Sequence, residues 1–275
     1  MDLQNQDKIN QQNGISRLRL SLPDGVAIPS RWLTDRHYSR QSLNQYKRRG
    51  YLLSPARGMY ALPGMKLGWQ GMVLGLQRLS GLANHVGGAT ALGLLGKAHY
   101  LPMGGEKQVH MWGKARLPAW VNQCDLPQEF LLHPRTLFSE SEPVDLVTVP
   151  TKMRDWEMSV SGPERAMLEV CSILDDTAES FVATAELMEG LTNLRPRLVN
   201  ELLVNCKSVK AKRVFLYLAF QSRYEWAARI EQDRIDLGSG KRQVVKGGRL
   251  EKEFQITVPK GFGRAFSSGF GRGFA

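Results

Sequence analysis

Apolar residues at Ile9, Ile15, Leu18 and Leu22 recur at helical spacing and stop at Pro23-Asp24-Gly25, so the chain opens with a predicted helix closed by a turn. After Val26 and Ile28, Pro29-Ser30 starts a short helix carrying Trp32 and Leu33, because proline is tolerated in a first turn. That helix ends near His37-Tyr38. Ser39 then offers an N-cap hydroxyl to a further helix running to Arg49, and Gly50, free to take positive φ, closes it. Two short helices around a tight turn predict a helix-turn-helix. Tyr51-Leu52-Leu53 and Met59-Tyr60-Ala61-Leu62 flank Ser54-Pro55-Ala56-Arg57-Gly58, and two β-prone runs around a Pro/Gly turn predict a hairpin, the wing of a winged helix.

Beyond Pro63-Gly64, residues 69 to 80 and 87 to 96 are apolar and predicted helical. Residues 98 to 150 are proline-punctuated, with strands expected at Gln108–Trp112, Glu129–Leu132 and Val144–Val149. Ser161-Gly162-Pro163-Glu164 has the spacing of a capping box, and helices follow at about 163–174, 178–190, 195–206 and 209–221. Residues 234 to 258 return to strands. From Pro259 the chain reads as a Gly, Phe, Arg and Ser mixture without periodicity, expected to be disordered. The expected class is α+β: a winged helix-turn-helix at residues 1–64, a larger mixed α/β C-terminal domain at 65–258, and a tail at 259–275.

Charge then changes the picture. The 275 residues carry a formal charge of +11, which asks for a polyanionic partner or a surplus of solvated lysines. Between Arg31 and Tyr60 stand Arg31, Arg36, Arg40, Lys47, Arg48, Arg49 and Arg57 against Asp35 alone, whereas an evenly solvated surface mixes signs. Rotating about 100° per residue from Arg40 puts Arg40, Gln41, Asn44, Gln45 and Arg48 on one helix face and Leu43 and Tyr46 on the other. Arg can bond guanine O6 and N7, and Asn or Gln can bond adenine N6 and N7, so this face carries groups that read a major groove. Lys47 and Arg49 flank it where phosphates would lie, and Arg57 suits a contact from the wing. The candidate DNA-binding set is Arg36, Ser39, Arg40, Gln41, Asn44, Gln45, Lys47, Arg48, Arg49 and Arg57. An exposed helix face is polar in any case; the absence of acids and the following hairpin favour DNA.

Lys207, Lys210, Lys212 and Arg213 form a second cation cluster, a possible anion or partner surface, balanced against a simple solvated helix start. Gly238-Ser239-Gly240-Lys241-Arg242 invites comparison with a phosphate loop, but that motif needs glycine at 235 and a hydroxyl at 242, where Ile235 and Arg242 stand. A glycine turn between strands is the favoured reading. His37, His85, His99, His110 and His133 lack metal-ligand spacing. Cys124, Cys171 and Cys206 form neither CxxC pairs nor a disulfide pattern and read as core residues. Glu157, Glu164, Glu169, Asp175 and Asp176 read as helix-end and solvated residues. No catalytic centre, cofactor or metal site is expected. With no leader-like start and no run of about 18 apolar residues, a cytoplasmic, membrane-independent protein is expected.

Several stretches taken in order, YSRQSLNQYKRRGYLLSPARGMYAL, HVGGATALGLLGKAHYL, SGPERAMLEV, ELMEGLTNLRPRLVNELL, SVKAKRVFLYLA, DLGSGKRQVVKGG and FQITVP, resemble the AbiEi antitoxin family of the AbiE abortive-infection (phage-defence) systems, which are bacterial type IV toxin–antitoxin pairs. The resemblance implies a winged helix that binds inverted repeats in its own promoter, and a C-terminal domain needed for antitoxicity. It also implies a nucleotidyltransferase-like toxin as functional partner, countered without a stable complex. On that pattern the DNA contacts fall at Arg40, Gln41, Asn44, Gln45 and Arg48, with Arg57 in the wing; the tail after Pro259 is a departure from the family. The expected protein is a non-enzymatic autorepressor and antitoxin, monomeric in solution and pairing on double-stranded DNA. The alternatives are a stand-alone winged-helix regulator with a ligand-sensing C-terminal domain, and a nucleotide-binding enzyme built on Gly238–Arg242.

Overall fold

The computed structural model describes residues 14–98, 107–134, 136–139 and 145–262. Ile9, His99, Val144 and the tail from residue 263 lie outside the described residues. Two compact units are present: unit 1 takes residues 14–86, 107–134 and 148–160, and unit 2 takes residues 87–98, 136–139, 145–147 and 161–262. The fold is α+β, with a winged helix first and a larger mixed region after it.

In unit 1, residues 14–21 form helix α1. There follow β1 (Ile28–Pro29), α2 (Ser30–Thr34), α3 (Arg40–Arg48), β2 (Leu53–Ala56) and β3 (Met59–Ala61). The strands make an antiparallel sheet in the order β1-β3-β2, with Arg57-Gly58 as its tip. This is winged-helix topology. The helical periodicity does what it predicted: Ile15, Leu18 and Leu22 from α1, Leu33 from α2, and Leu43 and Tyr46 from α3 share one buried cluster with Ile28, Leu52 and Leu62. The hairpin is tighter than expected, because Ser54-Pro55-Ala56 extend β2 and leave only Arg57-Gly58 to turn.

The boundary expected at residue 64 does not separate the units. α4 (Trp69–Leu74) continues as a π-helical turn at Gly75–Leu79, and its Gly71 carbonyl accepts the Ala27 amide at 3.0 Å. A Cβ on Gly71 would overlap the Gly25 carbonyl oxygen, so glycine lets this helix lie directly on the backbone before β1. Unit 1 also holds most of a mixed five-stranded sheet. Its strands are β4 (His85–Val86), β5 (Gln108–Trp112), β6 (Glu129–His133), β7 (Leu146–Pro150) and β8 (Glu157–Ser161), in the order β6-β5-β4-β8-β7. Gln77, in the π turn, ties the start of β4 to the middle of β8 by donating to the Asn84 and Ser159 carbonyls and accepting the Ser159 amide, each at 3.0 Å. β4 and β8 were not expected from the sequence.

Unit 2 is helical, with α5 (Gly88–Leu94), α6 (Pro163–Ile173), α7 (Ala178–Glu189), α8 (Pro196–Asn205) and α9 (Val209–Ser222), then the hairpin β9 (Arg249–Glu251) and β10 (Ile256–Val258). α6 is central, packed by α5, α7, α8 and α9 and buried from Glu164 to Cys171. Cys171 and Cys206 are core residues as expected, while Cys124, in unit 1, is half-buried. Residues 235–248 are irregular apart from the Arg242 bridge to Ile256, so of the strands expected over 234–258 only the later ones form. The tail begins later than residue 259: Phe262 is buried and meets the Phe181 ring edge-on at 5.1 Å, because an aromatic side chain had an apolar helix face to cover.

Candidate nucleic-acid interface

The interface in unit 1 is built from short-range rules. The Ser39 hydroxyl accepts the Ser42 amide at 3.1 Å and caps α3, as Pro29-Ser30 and Ser39 together predicted two short helices. Gly50, at φ +70°, ends it. Tyr38, in the turn, donates its hydroxyl to the Gly14 carbonyl at 3.1 Å and ties the helix pair to α1. The Ser30 amide bonds the Gly58 carbonyl at 2.8 Å, fixing the wing tip against the start of α2.

With Leu43 and Tyr46 each only 2% exposed, α3 turns Arg40, Gln41, Asn44 and Arg48 to solvent. Lys47 and Arg49 are exposed beside them, and Arg57 is exposed at the wing tip. Residues 14–64 contain nine Lys or Arg and only Asp24 and Asp35 as acids, so the field over this face is positive. Gln45 departs from the expected set. It is half-buried and its Oε1 lies inside with no donor among the described residues, since its angular position borders the buried flank beside Tyr46. Arg36 is exposed but committed locally: its guanidinium stacks 3.8 Å from the Trp32 ring centre and donates to the Trp32 carbonyl at 3.5 Å.

The second cation cluster, in unit 2, is not a surface. Lys207 is exposed, but Lys210 is half-buried with its ammonium on the Leu174 carbonyl, and burial lowers its pKa. Lys212 and Arg213 are buried because α9 is packed on most of its circumference, so a cation run at its start points inward. The Arg213 guanidinium donates to the carbonyls of Leu237, Gly238 and Gly240 at 2.8, 3.0 and 2.6 Å. The glycine segment it holds runs on into the Arg242 bridge, not into a helix as a phosphate loop does.

Sequence reasoning missed a buried ionic network in unit 2. Glu169 accepts from Gly88 N at 3.0 Å, Ser161 Oγ at 2.8 Å and Arg165 Nε at 3.0 Å. Arg195 bonds Glu164 through Nε at 2.9 Å and through Nη2 at 2.8 Å, and reaches Asp145 at 2.8 Å. The expected capping box is therefore absent: Ser161 and Glu164 are drawn into these bonds, Gly162 is the N-cap residue, and Asp145 accepts the Arg165 amide at 3.3 Å instead. Burial pushes the Glu164 carboxyl up, but the Arg195 bonds outweigh it and hold the group below the ordinary glutamate range. Asp145 is raised, by burial first and then by the Glu164 charge. The signal in the sequence was three charges within the apolar run PERAMLEVCSI.

His110 and His133, read as scattered, are paired across β5 and β6 in unit 1, with ring nitrogens 3.0 Å apart. Trp112 stacks on His133 at 4.3 Å. Among the described residues no three His, Cys, Asp or Glu side chains gather to hold a metal ion. No helix of the described residues is long and apolar enough to cross a membrane.

An exposed, acid-free helix of Arg, Asn and Gln followed by a β2–β3 hairpin in a three-stranded sheet defines a winged-helix protein. Two family models match the chain. Residues 11–103 match the transcriptional regulator AbiEi antitoxin N-terminal domain, and residues 106–259 match the transcriptional regulator AbiEi antitoxin of type IV toxin–antitoxin systems. The chain belongs to this AbiEi family, whose members are antitoxins and transcriptional regulators. The crystal structure of the RV2827C protein from Mycobacterium tuberculosis has the same overall fold, with a TM-score of 0.56, 16% identity and 90% of each chain covered. A search of the curated proteins found no match.

Proposed function

We propose that the protein represses its own promoter by inserting α3 into the major groove at inverted repeats, and that it also counteracts a nucleotidyltransferase-like toxin without forming a stable complex with it. The observation that carries the DNA reading is the outward array Arg40, Gln41, Asn44 and Arg48, exposed together on a capped helix that has no acidic residue. Arg40 and Arg48 suit guanine, Asn44 and Gln41 suit adenine, and Lys47, Arg49 and Arg57 suit phosphates. One such helix reads few bases, so two copies on an inverted repeat supply useful specificity while the free protein stays monomeric. Residues 1–64 carry the DNA contacts in this reading, and residues 65–258 carry antitoxicity.

Because α4 packs on the winged helix, point substitution separates the two roles better than truncation at residue 64. The test is a promoter reporter together with a toxin-rescue assay, using the full chain with Arg40→Ala and Asn44→Ala. Repression should be lost while rescue from the toxin persists. Retained repression by a folded double variant would remove α3 from the role given to it.

A further inference from the structure

Unit 1 contains a cavity that the DNA reading does not use. It measures about 910 Å³ and opens between α1, α2 and the start of α3, lined by Arg17, Trp32, Arg36, Tyr38, Ser42 and Tyr46 among others. Counting about 100° per residue from Arg40, Ser42 and Tyr46 stand at about 200° and 240° around α3. Arg40, Gln41, Asn44 and Arg48 stand between about 0° and 100° on the same count. The cavity therefore adjoins the flank of α3 turned away from that array.

Its walls set cations beside aromatic rings. Arg17 and Arg36 are exposed, and neither forms an ion pair with a carboxylate among the described residues. Asp35, the acid on the rim, turns to Arg31, 3.9 Å away. Both guanidiniums act on the Tyr38 hydroxyl: burial raises its pKa, and the Arg17 and Arg36 charges pull against that rise. The Trp32 ring carries the Arg36 guanidinium 3.8 Å from its centre, which fixes this cation at the cavity wall. The Tyr38 hydroxyl donates to the Gly14 carbonyl at 3.1 Å, and a Cβ on Gly14 would meet the Tyr46 hydroxyl at 2.5 Å, so the start of α1 is set directly on both tyrosines. A space of this size, walled by rings and a few placed polar groups, is what a small organic ligand takes up.

We propose that this cavity binds a small aromatic anion, a carboxylate or sulfonate on a planar ring, and that its occupation weakens the docking of α3 on DNA. The anion lies on Arg17 and Arg36, and the ring lies beside Tyr38 and Trp32. Bound there, the ligand cancels positive charge close to the start of α3. It also touches Ser42, whose hydroxyl lies 2.9 Å from that of the Ser39 cap, so the end of the helix that presents Arg40 and Gln41 is part of the site. A bare phosphate fills little of the space and leaves the rings uncovered. The binding half of the proposal stands by itself; the effect on DNA rests on α3 being the helix that docks.

The test is calorimetry on the full chain with naphthalene-2-sulfonate as the probe, beside 2-naphthol, which has the ring without the charge, and inorganic phosphate, which has the charge without the ring. One probe molecule should bind per chain, with 2-naphthol and phosphate each about tenfold weaker or more. Arg17→Ala with Arg36→Ala removes both cations, and Ser21→Trp, at an exposed rim position, fills the space without touching the charge. Each variant should lose about tenfold or more in affinity while its circular dichroism matches the wild type. No binding at millimolar probe, binding that neither variant changes, or either control compound binding as tightly as the probe overturns the site. For the effect on DNA, anisotropy of a labelled random-sequence duplex is followed with and without the probe. The probe should raise the apparent Kd of the wild type about threefold or more and leave that of Ser21→Trp unchanged. A wild-type Kd that saturating probe does not move overturns the coupling while the docking role of α3 stands. A chain that binds the probe but no DNA overturns that role and leaves the calorimetric site standing.

Discussion

The Ser39 hydroxyl accepts the Ser42 amide at 3.1 Å, and the same hydroxyl lies 2.9 Å from the Ser42 hydroxyl, so the first turn of α3 is closed by two serines. Ser39→Ala should cost about 1 kcal/mol of stability, read as a fall in midpoint on thermal melting. Ser39→Asp keeps a capping oxygen but puts a carboxylate where the proposed docking brings phosphates. It should melt near the wild type and bind promoter DNA several-fold more weakly; tight binding by the aspartate variant would show that this end of α3 faces away from the duplex.

Base reading and phosphate holding separate by substitution. Arg40→Ala and Asn44→Ala should each weaken binding to the operator by roughly 1–3 kcal/mol while leaving random DNA much less affected. Lys47→Ala should weaken both alike and reduce the salt slope by about 1. Competition titrations with operator and random duplexes check this, and parallel losses for all three variants would reassign Arg40 and Asn44 to the backbone.

In unit 2, Arg195 is the sole side-chain partner of the buried pair Asp145 and Glu164 among the described residues, so Arg195→Met leaves two buried carboxylates facing each other. Destabilisation of about 3 kcal/mol is expected near pH 7. Glu164 is held below its ordinary value of 4.5, so its contribution is fully present above that pH and is lost as pH falls through the folded value. The gap between wild type and Arg195→Met should therefore narrow on acidification from pH 7 to pH 4, as followed by urea unfolding. A gap independent of pH would mean that Arg195 acts by packing alone.

The histidine pair gives a prediction of its own in unit 1. Burial first, and then the neighbouring His133, lowers His110 to about 4. An unfolded His110 takes a proton as pH drops below 6.5, whereas the folded one waits until about 4, so stability falls between those values. His110→Asn should flatten that part of the stability curve, and an NMR titration should show the His110 ring neutral at pH 5.5. A ring that titrates near 6.5 would contradict the buried pairing.

What could be read from the sequence was local. Ser39, Gly50 and the Leu43/Tyr46 stripe set α3 through contacts within a few residues, and the Arg57-Gly58 turn is set likewise. Helices α6 to α9 of unit 2 were also legible, since each has a long apolar period and a clear start. Failures came where distant residues decide. His85–Val86 is too short to show a period, and it becomes a strand through Trp112, Met111 and Val160. Ser161 and Glu164 had the spacing of a cap, but Glu169 and Arg195 claim them. The cations of α9 looked like surface because charge is usually solvated; Arg213 instead found the carbonyls of Leu237 to Gly240.

The central claim is that the exposed face of α3 recognises the promoter. Footprinting of the region upstream of the reading frame, with wild type and with Asn44→Ala/Arg48→Ala at matched concentrations and matched circular dichroism, tests it most directly. The account predicts two protected half-sites in inverted orientation for the wild type and their loss in the variant. Undiminished protection by the folded variant, or no protected site with the wild type, would contradict it.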